Sequence, residues 1–394
     1  MLNKYIVMLN KYYIIPILRY VLVVSFLLLM SACQKKVERQ IGETCYNLGE
    51  SSIGNLNDIF QDVEIIPLQF EGEYYPPNAK QVVVSDSVIL VSDNRNRIYV
   101  FNSDGTYVSS SNEHYGMGPE DISMVSGWTW NPYSKRIEIL TSKALSIFSR
   151  NFSFETTIPL PGSEGVIYDQ IFDISESEHF LVPTGMSPKS HGIFKFDSNT
   201  SSLKEIYSYE DNVIAPVSMQ WQSFFIDSNG GILFSPPAVT YTIYNLESNG
   251  KVTADISFIP GTDWLTKNKR SEYTSDRQFA EYLMTSSDYI PIRTLITGKY
   301  IFTLAKKGRK LSDMYYFVTN RLTKDTQAFE LYNEGNYSFP MLSYACNEYI
   351  YAVMDKESIE ATPQLLLGSE EACNNLAATD SETLVLLKYK TSNN

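Results

Sequence analysis

The 394-residue chain is 43% hydrophobic and 13% aromatic, with 28 Tyr and 20 Phe, so it can bury a large core and suits strands better than helices. Its formal charge of −13 argues against nucleic acid, or an anionic membrane surface, as a partner of the folded part. Three His and four Cys at wide spacings give no zinc or Cys-x-x-Cys pattern, which argues against a His-rich or Cys-rich metal centre.

The first 32 residues carry Lys4, Lys11 and Arg19 and no acidic residue, and they end in the apolar run Val21–Met30. A basic start followed by ten apolar residues fits a signal-peptide core and is short for a membrane span. "MLNKY" occurs at residues 1 and 8, so Met1 and Met8 each begin a usable signal. "MSAC" then places small residues before Cys33, as in a bacterial lipobox, with Met30 where Leu is usual. The expectation is cleavage at 1–32 and acylation of Cys33, with the mature chain at −16 after the three cations are lost. "QKKVERQ" after Cys33 lacks the acidic run of surface-exposed lipoproteins, which points to an outer-membrane anchor facing the periplasm. Residues 33–57, with Cys45, read as a tether.

From about residue 60 onward, strand-like segments bounded by turn residues fill the chain. "NRIYVFNSDGTYV", Asn96–Val108, reads as one β-hairpin, and it recurs. The last apolar residue of its first arm is Phe101, then Phe148, Phe196 and Tyr244, at steps of 47, 48 and 48. Phe317 and Leu387 follow at 73 and 70, as if each of two units had gained about 25 residues. Each copy has strands before and after it, which gives four-stranded units at a propeller-blade period. The sixth unit has three strands, near 340–345, 348–354 and 383–390, and Asp62–Phe70 is available to supply its fourth. The fold expected is all-β: a six-bladed β-propeller over 58–394, closed by an N-terminal strand. Pro67, Pro159 and Pro260 all fall in strands assigned to the outer edge, where Pro is tolerated.

"VSDNRNRIYVFNSDGTYV" followed by "GMGPED" resembles the six-bladed β-propeller lipoproteins of Bacteroidota, a group related in shape to NHL-repeat proteins. Family members often carry a G-x-G-P-G-E-like stretch after the first blade. Here Glu120 stands where Gly is usual in Gly116–Glu120. The resemblance spans about 56–390 and implies the fold, not a ligand.

In such a blade the turns between strands 1 and 2 and between 3 and 4 share one face. The 2–3 turns and the blade-to-blade links share the other. The first class is short here. The long segments, near 260–293 with the one helix-like stretch "YTSDRQFAEYLMTSSDYI" and near 355–382, both belong to the second. Long loops in compact domains tend to be functional, so the channel mouth on that face is the expected binding site. Cys346 and Cys373 fall on opposite faces, which argues against a disulfide. The candidate ligand contacts are His114, Tyr115, Glu120, Asp121, Asp169, Gln220 and Trp264. Trp264, in the first insert, is either a stacking surface or part of a cap, whereas Trp128, Trp130 and Trp221 are better explained by blade packing.

No G-x-S-x-G, H-E-x-x-H or P-loop occurs, and "GMGPED" reads as a tight loop rather than a phosphate cradle. The leading expectation is a lipid-anchored envelope module that binds a protein, peptide or carbohydrate partner. The alternative is a Ca²⁺-assisted hydrolase or lyase using Asp121, Asp169, Gln170 and Gln220 as hard ligands.

Overall fold

Strands buried on both faces need continuous apolar runs, and the second strand of the first repeat, Val88–Asp93, is buried at every residue. It belongs to one of six antiparallel meanders in the computed structural model. The model describes residues 44–392 apart from 71–78, 117, 119, 123, 163–164, 185–190, 210–212, 216–218, 311–312, 334 and 381–382. The expected signal peptide, the expected acylation residue Cys33 and the first part of the expected tether lie outside these residues.

The six sheets form a six-bladed β-propeller. Blade 1 holds Ala79–Val84, Val88–Asp93, Ile98–Asn102 and Tyr107–Ser110. Blade 2 holds Gly127–Asn131, Arg136–Leu140, Ala144–Phe148 and Phe154–Pro159. Blade 3 holds Tyr168–Asp173, Glu178–Pro183, Gly192–Asp197 and Ser202–Ser208. Blade 4 holds Phe224–Ile226, Ile232–Phe234, Thr242–Leu246 and Val252–Ile259. Blade 5 holds Ile290–Ile296, Tyr300–Lys306, Met314–Asn320 and Thr326–Glu330. Blade 6 holds Leu342–Cys346, Tyr349–Asp355 and Leu384–Thr391, completed by Phe60–Leu68.

The closure is the one the repeat count requires. Leu384 pairs with Leu68 and Tyr389 with Val63, and Lys388 Nζ lies 2.7 Å from Glu64 Oε2. The hairpin turn of blade 1 abuts this latch. Gly105 takes φ +86°, its carbonyl accepts from Gln69 N at 2.9 Å, and a Cβ there would fall 2.0 Å from Pro67 O. Only glycine supplies that conformation and that approach together.

The tether expectation is corrected from residue 44 onward. Thr44–Asn47 runs parallel to the fourth strand of blade 4, and Ser51–Ile53 runs parallel to that of blade 5. These segments form a belt around the rim that leads into the closing strand. Tyr46 is buried against Phe258, and its hydroxyl donates to Arg321 O at 3.2 Å. Cys45 therefore sits opposite Ser257 in a strand pair, not in a free linker. The belt also covers the edge of blade 4. Pro67 and Pro159 lie in outermost strands as expected, whereas Pro260 lies just past a covered strand that ends at Ile259.

Both long inserts leave the expected face. The first carries helix α1, Asp276–Thr285, capped by Ser275 Oγ accepting from Gln278 N. The second is not a plain loop. It forms α2, Lys356–Glu360, a 3₁₀ turn at Pro363–Leu366, and α3, Glu370–Ala377. Ile359, Leu365, Leu366, Ala372 and Leu376 anchor it in the core, and Tyr389 Oη donates to Leu365 O at 3.0 Å. Cys45, Cys346 and Cys373 are free thiols.

Candidate functional site

The inner strand of each blade turns an unpaired row of backbone N–H and C=O groups toward the axis, and such an edge needs partners. Here the chain fills part of the channel itself. Blade 4 has a short inner strand, and the segment before it, 219–222, crosses to other blades. Met219 N donates to Ile292 O at 2.8 Å. Gln220 grips Thr294, with Oε1 accepting from its N at 2.7 Å and Nε2 donating to its O at 2.6 Å. Gln222 does the same to Ala345 of blade 6, both at 2.8 Å. Each glutamine amide acts as one more peptide group on a strand edge. Gln170 Nε2 of blade 3 donates to Gln220 O at 3.2 Å, and Lys80 Nζ of blade 1 lies 5.1 Å from the centre of the Trp221 ring.

A small cavity of about 90 Å³ remains beside this plug, lined among others by Trp128, Asp169, Gln170, Trp221 and Tyr344. Asp169 Oδ1 has no hydrogen-bond partner, and burial pushes the carboxyl up to about 7, against the pull of a Thr184 hydrogen bond and the Lys80 charge. Burial likewise lowers the Lys80 ammonium, which donates to Asn96 Oδ1 at 2.7 Å. Asn96 takes φ +59° in the 2–3 turn of blade 1.

The sequence candidates therefore divide. Asp169 lines the channel cavity, whereas Gln220 does not, its amide being bonded to Thr294. Tyr115 reaches the same mouth indirectly, because its hydroxyl donates to Asn96 O. Asp121 closes its own loop. Its Oδ2 accepts from Gly118 N at 2.7 Å, and a Cβ on Gly116 would meet that oxygen at 2.2 Å. Gly116, Gly118 and Asp121 thus close tightly on one another, with Glu120 exposed beside them. His114 packs on Phe148 and Phe152. Of the four proposed Ca²⁺ ligands only Asp169 and Gln170 line the channel cavity, so the four do not converge there. Trp221, assigned to packing, lies half-buried at the channel under Lys80.

Of the two roles expected for Trp264, the stacking one does not hold. The residue is only 3% exposed and packs on Tyr241, Phe317 and Tyr289, so it offers no stacking face. It instead fixes Tyr289, through Leu265 N donating to Tyr289 O at 3.0 Å and Tyr289 N donating to Asp263 O at 2.8 Å. Tyr289 in turn meets Tyr315 edge-on, with centroids 5.4 Å apart at 90°.

These tyrosines open onto a much larger space at the rim, toward blade 6. A groove of about 770 Å³ lies between Tyr289 of the first insert and Gln364, Leu367 and Gly368 of the second. Phe329 and Glu330 of blade 5, Asn333 and Ser338 of the link, and Ile53–Asn57 of the belt complete it. Gly54 lets the belt lie flat on the floor, since a Cβ there would fall 2.2 Å from the Phe329 ring. Burial raises the phenols of Tyr289 and Tyr315, and the Glu330 carboxylate adds to both shifts. Neither insert lines the channel cavity. The two segments singled out by length thus meet at a rim groove, the first through Tyr289. Its side chains were illegible because they come from five separate stretches of chain. A size of 300–1,000 Å³ with apolar walls and a few polar groups is the usual character of a ligand site.

A family model described as "Domain of unknown function (DUF4934)" matches residues 46–379. No curated protein matches the chain. Among solved structures, a candidate exported protein of Bacteroides fragilis NCTC 9343 is similar, with a TM-score of 0.67 at 16% identity, over 89% of this chain and 100% of that one. A member of the DUF4221 family from Bacteroides vulgatus is similar with a TM-score of 0.52 at 14% identity, over 86% and 99%. At these identities the likeness shows the fold.

Proposed function

The chain belongs to the DUF4934 family, and on that premise we propose that it is a lipid-anchored envelope protein whose propeller binds an oligosaccharide in the rim groove. The observation that carries this reading is the convergence of both long inserts, the belt and blade 5 on one space of about 770 Å³. The lining supports the ligand class. Sugars present apolar C–H faces and a ring of hydroxyls. The groove sets Tyr289, Tyr315 and Phe329 beside Asn55, Asn333, Gln364 and Glu330. Aromatic rings serve the first need, and amide or carboxylate groups serve the second. An acidic chain with Glu330 in the groove disfavours polyanions.

The test is retention of the purified chain on a panel of neutral polysaccharides in affinity electrophoresis. Wild type is expected to be retarded by at least one of them, and Tyr315→Ala to lose at least ten-fold in affinity while melting within a few degrees of wild type. Equal retardation of both proteins, or none of wild type, contradicts the reading.

The anchor rests on the basic start, the apolar run and "MSAC". Acylation of Cys33 would hold the propeller at the membrane, since each buried CH₂ of a lipid chain contributes about 0.8 kcal/mol. The export described for the Bacteroides fragilis protein agrees with an envelope address. Cys33→Ser is expected to move the protein from the membrane to the soluble fraction, and retention there would contradict lipidation.

A further inference from the structure

Opposite the groove, between blades 2 and 3, three ionisable side chains are sealed in the core. Glu138 lies in the second strand of blade 2, Asp173 ends the first strand of blade 3, and His179 is the second residue of its second strand. Their exposures are 1%, 5% and 0%. His179 Nδ1 is 2.9 Å from Asp173 Oδ1 and 3.3 Å from Glu138 Oε2. One atom from each of the three lies within 4.8 Å of the others.

From these positions we infer a structural site for a divalent transition-metal ion, Zn²⁺ or Mn²⁺, held by Glu138, Asp173 and His179. Four observations carry it. Glu138 Oε2 is buried, faces the imidazole and has no hydrogen-bond partner. A buried acceptor of that kind is costly unless something satisfies it. Next, the spacing fits. Ligand atoms about 2.0–2.2 Å from a metal stand roughly 2.9–3.6 Å apart in tetrahedral or octahedral shells. Both measured separations, 2.9 Å and 3.3 Å, lie in that range. Charge also balances, because two carboxylates and a neutral imidazole offset one divalent cation, whereas without it the core must hold a charge or take up protons. Finally, the carboxylate is oriented from behind. Asn131 Nδ2 donates to Glu138 Oε1 at 2.8 Å, and Asn131 Oδ1 accepts from Tyr133 N and Ser134 N. Such outer partners hold ligands in place. One imidazole with two carboxylates suits Zn²⁺ or Mn²⁺, and three protein ligands are too few for Ca²⁺. The ion would join neighbouring blades and be taken up as they fold.

The experiment uses the full-length chain, purified in detergent without a histidine tag and refolded with EDTA, with Zn²⁺ or with Mn²⁺, then desalted. Elemental analysis is expected to find close to one equivalent of one ion, with a melting temperature several degrees above the EDTA sample. Glu138→Gln keeps the shape and removes a charge. It is expected to hold at least ten-fold less metal and to melt at one temperature whatever the ion. Less than a tenth of an equivalent in wild type with no ion-dependent shift overturns the inference, as does unchanged metal in Glu138→Gln. Should that variant fail to fold, the wild-type content and shift decide alone.

Discussion

At the scale of single residues, chemistry that looked like ligand recognition proves mostly to hold the chain together. Asp121 ties down a glycine loop, Gln220 and Gln222 extend strand edges, and Trp264 supports Tyr289. Sequence shows which residues can bond, but not whether the backbone will reach them first. Asp169 is the exception among the candidates. Burial raises its carboxyl to about 7, above the roughly 4 of an unfolded chain, so the folded protein binds that proton more tightly. Its contribution to stability is therefore full below about pH 4 and is lost as pH rises through about 7. Asp169→Asn stays uncharged throughout. Its melting temperature relative to wild type is expected to climb between pH 5 and pH 8, and a gap that does not vary with pH would contradict the assignment. Glu138 in "RIEIL" was passed over in the sequence, although a charged residue among apolar ones in a doubly buried strand has no water to reach.

At the scale of elements, regular repeats read well and departures from them read poorly. The inner hairpins of all six units announce themselves by alternating apolar residues and polar turns, and helix α1 announces itself by its cap and length. The strands Thr44–Asn47 and Ser51–Ile53 carry no such signal, because three or four residues define no period and their partners lie more than 200 positions away. The helices of the second insert are five and eight residues long, so packing rather than intrinsic propensity forms them. The belt is nonetheless bound. Tyr46 fills a core site against Phe258, and loss of a buried aromatic ring costs about 3–5 kcal/mol. Tyr46→Ala is expected to lower unfolding free energy by about 3 kcal/mol in urea titrations while leaving the strand content in circular dichroism unchanged. A loss under about 0.5 kcal/mol would mean that the belt is merely draped on the rim.

At the scale of the whole molecule, the ring was the most legible feature and the binding site the least. Blade number, closure by Phe60–Leu68 and the face that bears the inserts all follow from spacing along one chain. The groove follows from how inserts, belt and blade 5 meet, which spacing does not encode. Its lining residues span Ile53 to Gly368. At the channel, which the fold alone would nominate, residues 219–222 bond to the inner strands, and a cavity of about 90 Å³ lies beside them. Amide hydrogen exchange, with and without a retained oligosaccharide, separates the two locations most directly. Slowed exchange confined to 51–57, 326–338 and 362–368 is the expected result. Slowing at 79–84 and 219–224, with the rim unchanged, would place the ligand in the channel and contradict the account.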